Sequence, residues 1–256
     1  MSSQEDEFTS IKKLLKNLSN EFLNPPAILL MCGNFNPIHN HHIQMFENAK
    51  LFLKKKYEIV AGYISPSSAK WINGKYKDKE RTPFQNRKEM IEKVLEESSW
   101  IEIDTWQALY SEDIVNCYQV INRLEEFLNK NNQIQQILNQ KQLNKLEIIY
   151  ICGLDEIFIN DITNLKDYKI IIFERYFNNE QNQNWKNECE NYLNELYNDK
   201  WTKFQHNVSY IDQDENSNNF SSTQIRTLLK QKNDSWQEMC HSKVTKYLLE
   251  NDIFKY

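Results

Sequence analysis

Six short apolar runs, spaced by stretches of helical periodicity, constrain the fold of this chain more than any other feature. They occupy residues 27–32, 57–64, 100–106, 147–153, 168–173 and 208–211. Several lack polar alternation, Ala27-Ile28-Leu29-Leu30-Met31-Cys32 most clearly, so they suit strands covered on both faces. Helical spacing appears at 8–22 (Phe8, Ile11, Leu14, Leu15, Leu18, Phe22), after residue 42 (Met45, Phe46, Ala49, Leu53) and at 84–97. It returns from 114 to about 146 with an Asn/Gln-rich break near 129–133, and then at 155–164, within 178–198, at 223–231 and at 242–250. The alternation predicts an α/β, Rossmann-like parallel sheet of about six strands with helices on both faces. No composition shift or repeat divides the chain, so residues 1–256 read as a single domain, with 1–7 frayed and 8–22 an N-terminal helix.

Composition excludes several classes. A formal charge of −5 gives no reason to expect nucleic acid or an anionic membrane as partner. No run approaches the roughly eighteen apolar residues of a membrane span, and the N-terminus has no secretory pattern. Five widely spaced cysteines, an odd number, fit a reduced intracellular protein better than a disulfide framework. The expectation is a cytoplasmic or nuclear protein.

Polar chemistry concentrates just after the first run, in Gly33-Asn34-Phe35-Asn36-Pro37-Ile38-His39-Asn40-His41-His42. This is a strand-to-helix turn, with Asn36 expected as N-cap and Pro37 as first helical residue, because proline has no N–H to leave unpaired there. Gly33, one of four glycines, sits where backbone can approach a ligand. His39 and His42, three apart, would share one face at the positive end of a helix, and such an end binds anions, phosphate most often. The competing reading makes His42 a core histidine opening the apolar stripe. A metal site from His39, His41 and His42 is disfavoured, since three histidines in four residues cannot face one ion on a helix. A second helix start lies at Phe220-Ser221-Ser222-Thr223-Gln224-Ile225-Arg226. Ser221 and Gln224 form a capping-box pattern, and hydroxyls, open N–H groups and the Arg226 fork there suit phosphate oxygens. Alone, the same residues could be a plain cap and a solvated arginine. The glycine-rich dinucleotide fingerprint and the P-loop are both absent.

Gly33-x-Phe35-x-Pro37-x-His39-x-x-His42 resembles the signature of the nucleotidylyltransferase superfamily, and the wording of the stretch is similar to the nicotinamide/nicotinate mononucleotide adenylyltransferases. Residues 220–226 resemble that family's Ile-Ser-Ser-Thr-x-x-Arg motif, with Phe220 for the usual Ile. Ile64-Ser65-Pro66 and the polar loop at 67–82 resemble the segment carrying a lysine for ATP phosphates, here Lys70, with Lys75 and Lys77 as alternatives. Asp104-Thr105-Trp106 resembles the segment whose tryptophan stacks on the pyridine ring. Cys152-Gly153-Leu154-Asp155 resembles Cys-Gly-Ala-Asp at a strand end, where the glycine admits nucleotide and the aspartate meets a ribose.

The resemblance implies transfer of the adenylyl group of ATP to nicotinamide or nicotinate mononucleotide, giving NAD or its acid analogue and pyrophosphate. It implies His42, His39 and Arg226 as catalytic groups. Gly33, Asn34, Phe35, His39, His42, Lys70, Ser221, Ser222, Thr223 and Arg226 would bind ATP, and Trp106, Thr105, Gly153 and Asp155 the mononucleotide. Mg²⁺ would be carried by the nucleotide phosphates, not by a protein cage. Two departures stand out: no tryptophan lies between Asp155 and the next strand, where the family often has a second ring-stacking one, and His39 replaces a common Thr. Two alternatives remain, a related nucleotidylyltransferase acting on another phosphorylated substrate and a catalytically silent nucleotide-binding or chaperone-like protein. Homo-oligomer formation is left open.

Overall fold

The computed structural model describes residues 7–109, 114–159, 162–174, 184–212 and 220–254. Six strands form one sheet: β1 (Pro26–Gly33), β2 (Glu58–Pro66), β3 (Ile101–Ile103), β4 (Glu147–Gly153), β5 (Lys169–Phe173) and β6 (Val208–Ile211). All pairings are parallel, in the order β3-β2-β1-β4-β5-β6. The helices are α1 (Lys12–Leu18), α2 (Asn40–Leu53), α3 (Ala69–Lys75), α4 (Phe84–Leu95), α5 (Trp106–Leu109) and α6 (Cys117–Lys130). They continue as α7 (Asn132–Gln140), α8 (Leu154–Ile159), α9 (Trp185–Tyr197), α10 (Asp199–Phe204), α11 (Ser222–Lys230) and α12 (Ser242–Glu250).

Side chains alternate across a strand, so the unbroken apolar runs feed two cores at once. Ile28, Leu30, Tyr150 and Cys152 join one core with residues of α1, α6, α7, α9 and α10. Ala27, Leu29, Met31, Ile149 and Ile151 join the other with residues of α2, α4, α11 and α12. Order in the sheet reverses between β1 and β4. Crossovers leave in opposite directions there, which opens a crevice beyond the strands' carboxyl ends. Those ends are Gly33 and Gly153.

Four local expectations are corrected. The N-terminal helix covers Lys12–Leu18 instead of 8–22, because Thr9 bridges to Asp104 and its hydroxyl donates to Oδ1 at 2.6 Å, while the Ser10 hydroxyl donates to Glu102 at 2.5 Å. These bonds to β3 and the residue after it hold the chain extended where local periodicity favoured helix. The polar loop at 67–82 contains α3, capped by Ser68, whose Oγ accepts the Trp71 N–H at 3.3 Å, and anchored by buried Ile72. Helix α2 begins at Asn40 with His39 as its N-cap; Asn36 and Pro37, joined by a cis peptide, belong to the turn before it. Strand β3 is shorter than the 100–106 expected. The break near 129–133 falls at Asn131, whose Oδ1 accepts the N–H groups of Gln133 and Ile134. Residues 1–6 and 213–219, expected as a frayed end and a polar loop, lie outside the described residues. All five cysteines are free thiols. Among the described residues no helix is long and apolar enough to cross a membrane.

Candidate active site

Beyond β1 the chain makes a tight turn whose centre, Phe35, lies at φ 45°, a left-handed conformation that non-glycine residues seldom adopt. Its ring is buried and lies over Gly33, where an added Cβ would sit 3.1 Å from the ring Cζ. A side chain at 33 would therefore press on the Phe35 ring, which would have to give by a few tenths of an ångström. Two guanidinium groups grasp the backbone on either side of Phe35. Arg87 of α4 donates to the Asn34 carbonyl at 3.0 Å and to Ser67 O at 2.8 Å. Arg226 of α11 donates to the Asn36 carbonyl at 2.7 Å. Burial pushes the Arg87 guanidinium down to about 10, which leaves it charged at neutral pH. Both arginines thus hold the turn that precedes α2, which starts at Asn40.

His39 caps α2, and its own N–H donates to Nδ1 of His42 at 3.2 Å. This is half of a capping box, with imidazole in place of the usual Glu or Gln. An imidazole whose Nδ1 accepts a backbone N–H carries its neutral-state proton on Nε2. His42 is thus oriented as an Nε2–H donor. Its ring stacks on His39 at 3.7 Å between centroids and meets the edge of Phe35 at 4.9 Å.

The start of α11 is bolted to this turn. The Ser222 hydroxyl donates to the Pro37 carbonyl at 2.8 Å, and Arg226 reaches Asn36 as above. A neutral hydrogen bond of this kind contributes about 1 kcal/mol and a charge-assisted one roughly 1.5–3 kcal/mol. Ser221 Oγ accepts the Gln224 N–H at 3.1 Å, the expected cap. Thr223 Oγ1 accepts from Arg226 at 3.2 Å, which leaves the threonine proton to point elsewhere. Arg226 is 5% exposed and lies over the Tyr76 ring at 4.8 Å. Structurally it is part of the joint.

A cleft of about 220 Å³ opens beside the joint, lined by Gly33, Asn34, Phe35, His39, His42, Gly153, Asp155, Ser222 and Thr223 among others. The sequence-derived ATP residues are therefore gathered in one place, with three exceptions: Lys70 is on the exposed side of α3, Ser221 caps α11, and Arg226 holds the joint. Of the loop lysines, Lys75 lines the cleft. At Gly153 an added Cβ would fall 2.7 Å from Asp155 Oδ1, so the bare backbone lets the carboxylate fold back over the strand end.

A smaller hollow of about 80 Å³ adjoins the cleft and shares Cys32, Gly33, Asn34, Lys75 and Glu156 with it. Trp71, Gln107, Asn116 and Tyr150 line it as well. Thr105 and Trp106 line neither space. The Thr105 hydroxyl donates to the Phe8 carbonyl at 2.9 Å, and the Trp106 ring lies under Arg123 at 5.6 Å. Sequence reasoning missed Arg87, which holds the turn, Trp71 and Gln107 at the hollow, Glu156 at both spaces and the buried Glu174 at the cleft. Trp71 could have been found on the half-buried face of a short helix; nothing local marked Arg87. Among the described residues no group of His, Cys, Asp and Glu could hold a metal ion.

Residues 30–228 match the model of the cytidylyltransferase-like family. Over 88 residues the chain is 39% identical to nicotinamide/nicotinic acid mononucleotide adenylyltransferase 1 of Bos taurus, covering 34% of this chain and 30% of that protein. The Arabidopsis thaliana nicotinamide/nicotinic acid mononucleotide adenylyltransferase is 28% identical over 130 residues, 50% of this chain and 49% of that one. The match thus spans less than a third of the bovine relative and about half of the plant one. Plasmodium falciparum nicotinic acid mononucleotide adenylyltransferase, complexed with APC, superposes with a TM-score of 0.60 at 15% identity, covering 90% of this chain and 98% of that chain. The two share a fold.

Proposed function

Because the chain belongs to the cytidylyltransferase-like family, we propose that it transfers the adenylyl group of ATP to the 5′-phosphate of a pyridine mononucleotide. The observation that carries this reading is the joint between the α2 and α11 starts, two positively polarised helix ends 185 residues apart in sequence and tied by the Ser222–Pro37 bond. The imidazoles of the one and Ser222 and Thr223 of the other line the same cleft. The adjoining hollow, with Trp71 beside Gln107, offers an indole and polar groups to a flat ring. The curated relatives bear the name of this activity over the stretch that matches.

In this reading a 5′-phosphate oxygen attacks the α-phosphorus in line. The new P–O bond forms as the bond to the β-phosphate oxygen breaks, and pyrophosphate leaves with that electron pair. No side chain need act as nucleophile, since the acceptor is already an anion; positioning and charge neutralisation do the work. His42 donates from Nε2 to a phosphate oxygen near the reacting centre. Lys75, lining both spaces, balances charge where the two substrates meet, and the α11 N–H groups with Thr223 hold the leaving phosphates. Arg226 acts by fixing the joint. A divalent cation such as Mg²⁺ would come with ATP and supply charge neutralisation at the phosphates, with no carboxylate cage among the described residues to hold it. Five free thiols suit a reducing compartment, cytoplasm or nucleus.

The test is pyrophosphate release from ATP with and without nicotinamide or nicotinate mononucleotide, with CTP in place of ATP as a control and the dinucleotide identified by mass spectrometry. Release that depends on the pyridine mononucleotide supports the reading. Release only with CTP, or with another phosphorylated acceptor, transfers the chain to a different member reaction of the family. Binding of ATP without any turnover makes it a nucleotide-binding scaffold.

A further inference from the structure

The smaller hollow contains two buried polar groups that the fold leaves unmatched. Gln107 is 6% exposed; its Nε2 donates to the Val115 carbonyl at 2.9 Å, which fixes the amide orientation and leaves Oε1 without a hydrogen-bond partner. Tyr150 is 2% exposed, and its hydroxyl makes no standard hydrogen bond, having the Cys117 thiol, a weak partner, beside it. Both residues line the hollow. A buried acceptor without a donor costs about 1–3 kcal/mol, so such a group is expected to meet a ligand. Resting on the adenylyl-transfer reading above, we propose that Gln107 and Tyr150 form an acceptor–donor pair for a primary carboxamide, so that this chain selects nicotinamide mononucleotide over the nicotinate form.

The chemistry is complementary group by group. A carboxamide carries two N–H donors and one carbonyl acceptor, matching Gln107 Oε1 and the Tyr150 O–H. Burial pushes the Tyr150 phenol well above its ordinary range, so it remains a donor. A pyridine carboxylate brings acceptors alone and would set one of them against Oε1. The charged groups lining the hollow, Lys75 and Glu156, carry no net positive charge, and Glu156 acts electrostatically on Tyr150 itself. A site built to receive an N–H rejects an analogue that lacks it far more strongly than an apolar pocket rejects a size change.

Three acceptors compared in the intact wild-type protein test this: nicotinamide mononucleotide, nicotinate mononucleotide and 3-acetylpyridine mononucleotide, a neutral near-isostere of the amide without N–H. The expected kcat/KM favours the amide over both others by about tenfold or more. Gln107→Met should lower the amide's kcat/KM by about tenfold and the other two by less than about threefold, with the melting temperature recorded as a check on folding. Equal use of amide and acid, or preference for the acid, overturns the proposal. So does an acetyl analogue as good as the amide, which would make charge alone the discriminator. If Gln107→Met does not fold, the three wild-type values still decide. Absence of turnover with all three refutes the adenylyl-transfer reading itself, a result distinguishable from loss of selectivity.

Discussion

Replacing His42 by alanine removes two things the structure lets one count separately. The first is an Nε2–H donor whose direction is set by the His39 N–H to Nδ1 bond of 3.2 Å. Deleting a preorganised donor aimed at developing charge costs about 10²–10³ in kcat, roughly 3–4 kcal/mol. The second is the back-bond itself, whose loss leaves the N-cap amide of α2 unpaired and costs about 1 kcal/mol. In a chain of this size that lowers the melting temperature by about 2–4 °C. Steady-state pyrophosphate release at saturating ATP gives kcat, and a melting curve gives the second term. KM should change little, because the interaction matures only as charge moves. His42→Gln is the control: glutamine is the usual residue at this position of a capping box, so its melting temperature should return to the wild-type value while kcat recovers only in part. A folded His42→Ala protein with kcat within threefold of wild type refutes the assignment, as does an unchanged kcat accompanied by a large rise in KM.

Ser222→Ala breaks the 2.8 Å bolt to Pro37; the expected result is a loss of about 1 kcal/mol in stability with a larger loss in kcat, measured as above, and equal effects on both would show that the joint merely stabilises. Lys75→Met should reduce kcat/KM by about tenfold or more and Lys70→Met by less than twofold, since only Lys75 lines the cleft; the reverse order would reinstate Lys70. Gly62→Ala places a Cβ 2.9 Å from both Phe46 and Trp100 ring atoms inside the core, and such overpacking costs about 1–3 kcal/mol, seen as a lower denaturation midpoint. Asp104 is fully buried, and desolvation raises its pKa despite Arg123, Thr9 and Ser65. A carboxyl with a raised folded pKa binds its proton more tightly in the native state, so its contribution is greatest at low pH and is lost as pH rises through the folded value. Melting curves of wild type and Asp104→Asn should therefore show the wild type gaining on the variant as pH falls from 7 towards 4, and a relative loss would contradict the burial argument.

Strand positions were readable because burial on both faces leaves an uninterrupted apolar run, and helix α11 because capping is a contact between residues three apart. The strand-to-helix turn after β1 was equally legible, since it depends on residue types at one junction. The structure decided the rest. Strand order, and with it the crevice between Gly33 and Gly153, follows from pairings such as Ile28 with Ile148 that no local pattern encodes. The N-cap is His39 and not Asn36, and the turn before it is tied by Arg87, Arg226 and Ser222 to the carbonyls of Asn34, Asn36 and Pro37, partners far along the chain. Arg226, expected from the sequence at a phosphate, also donates to the Asn36 carbonyl at a sequence separation of 190. Sequence alone determined the kinds of groups that meet an anion, because propensity and capping act over a few residues. Only the tertiary structure decided which of them face the cleft and which hold it together, because a buried hydrogen-bonding group spends its capacity on whichever partner the packing brings within reach.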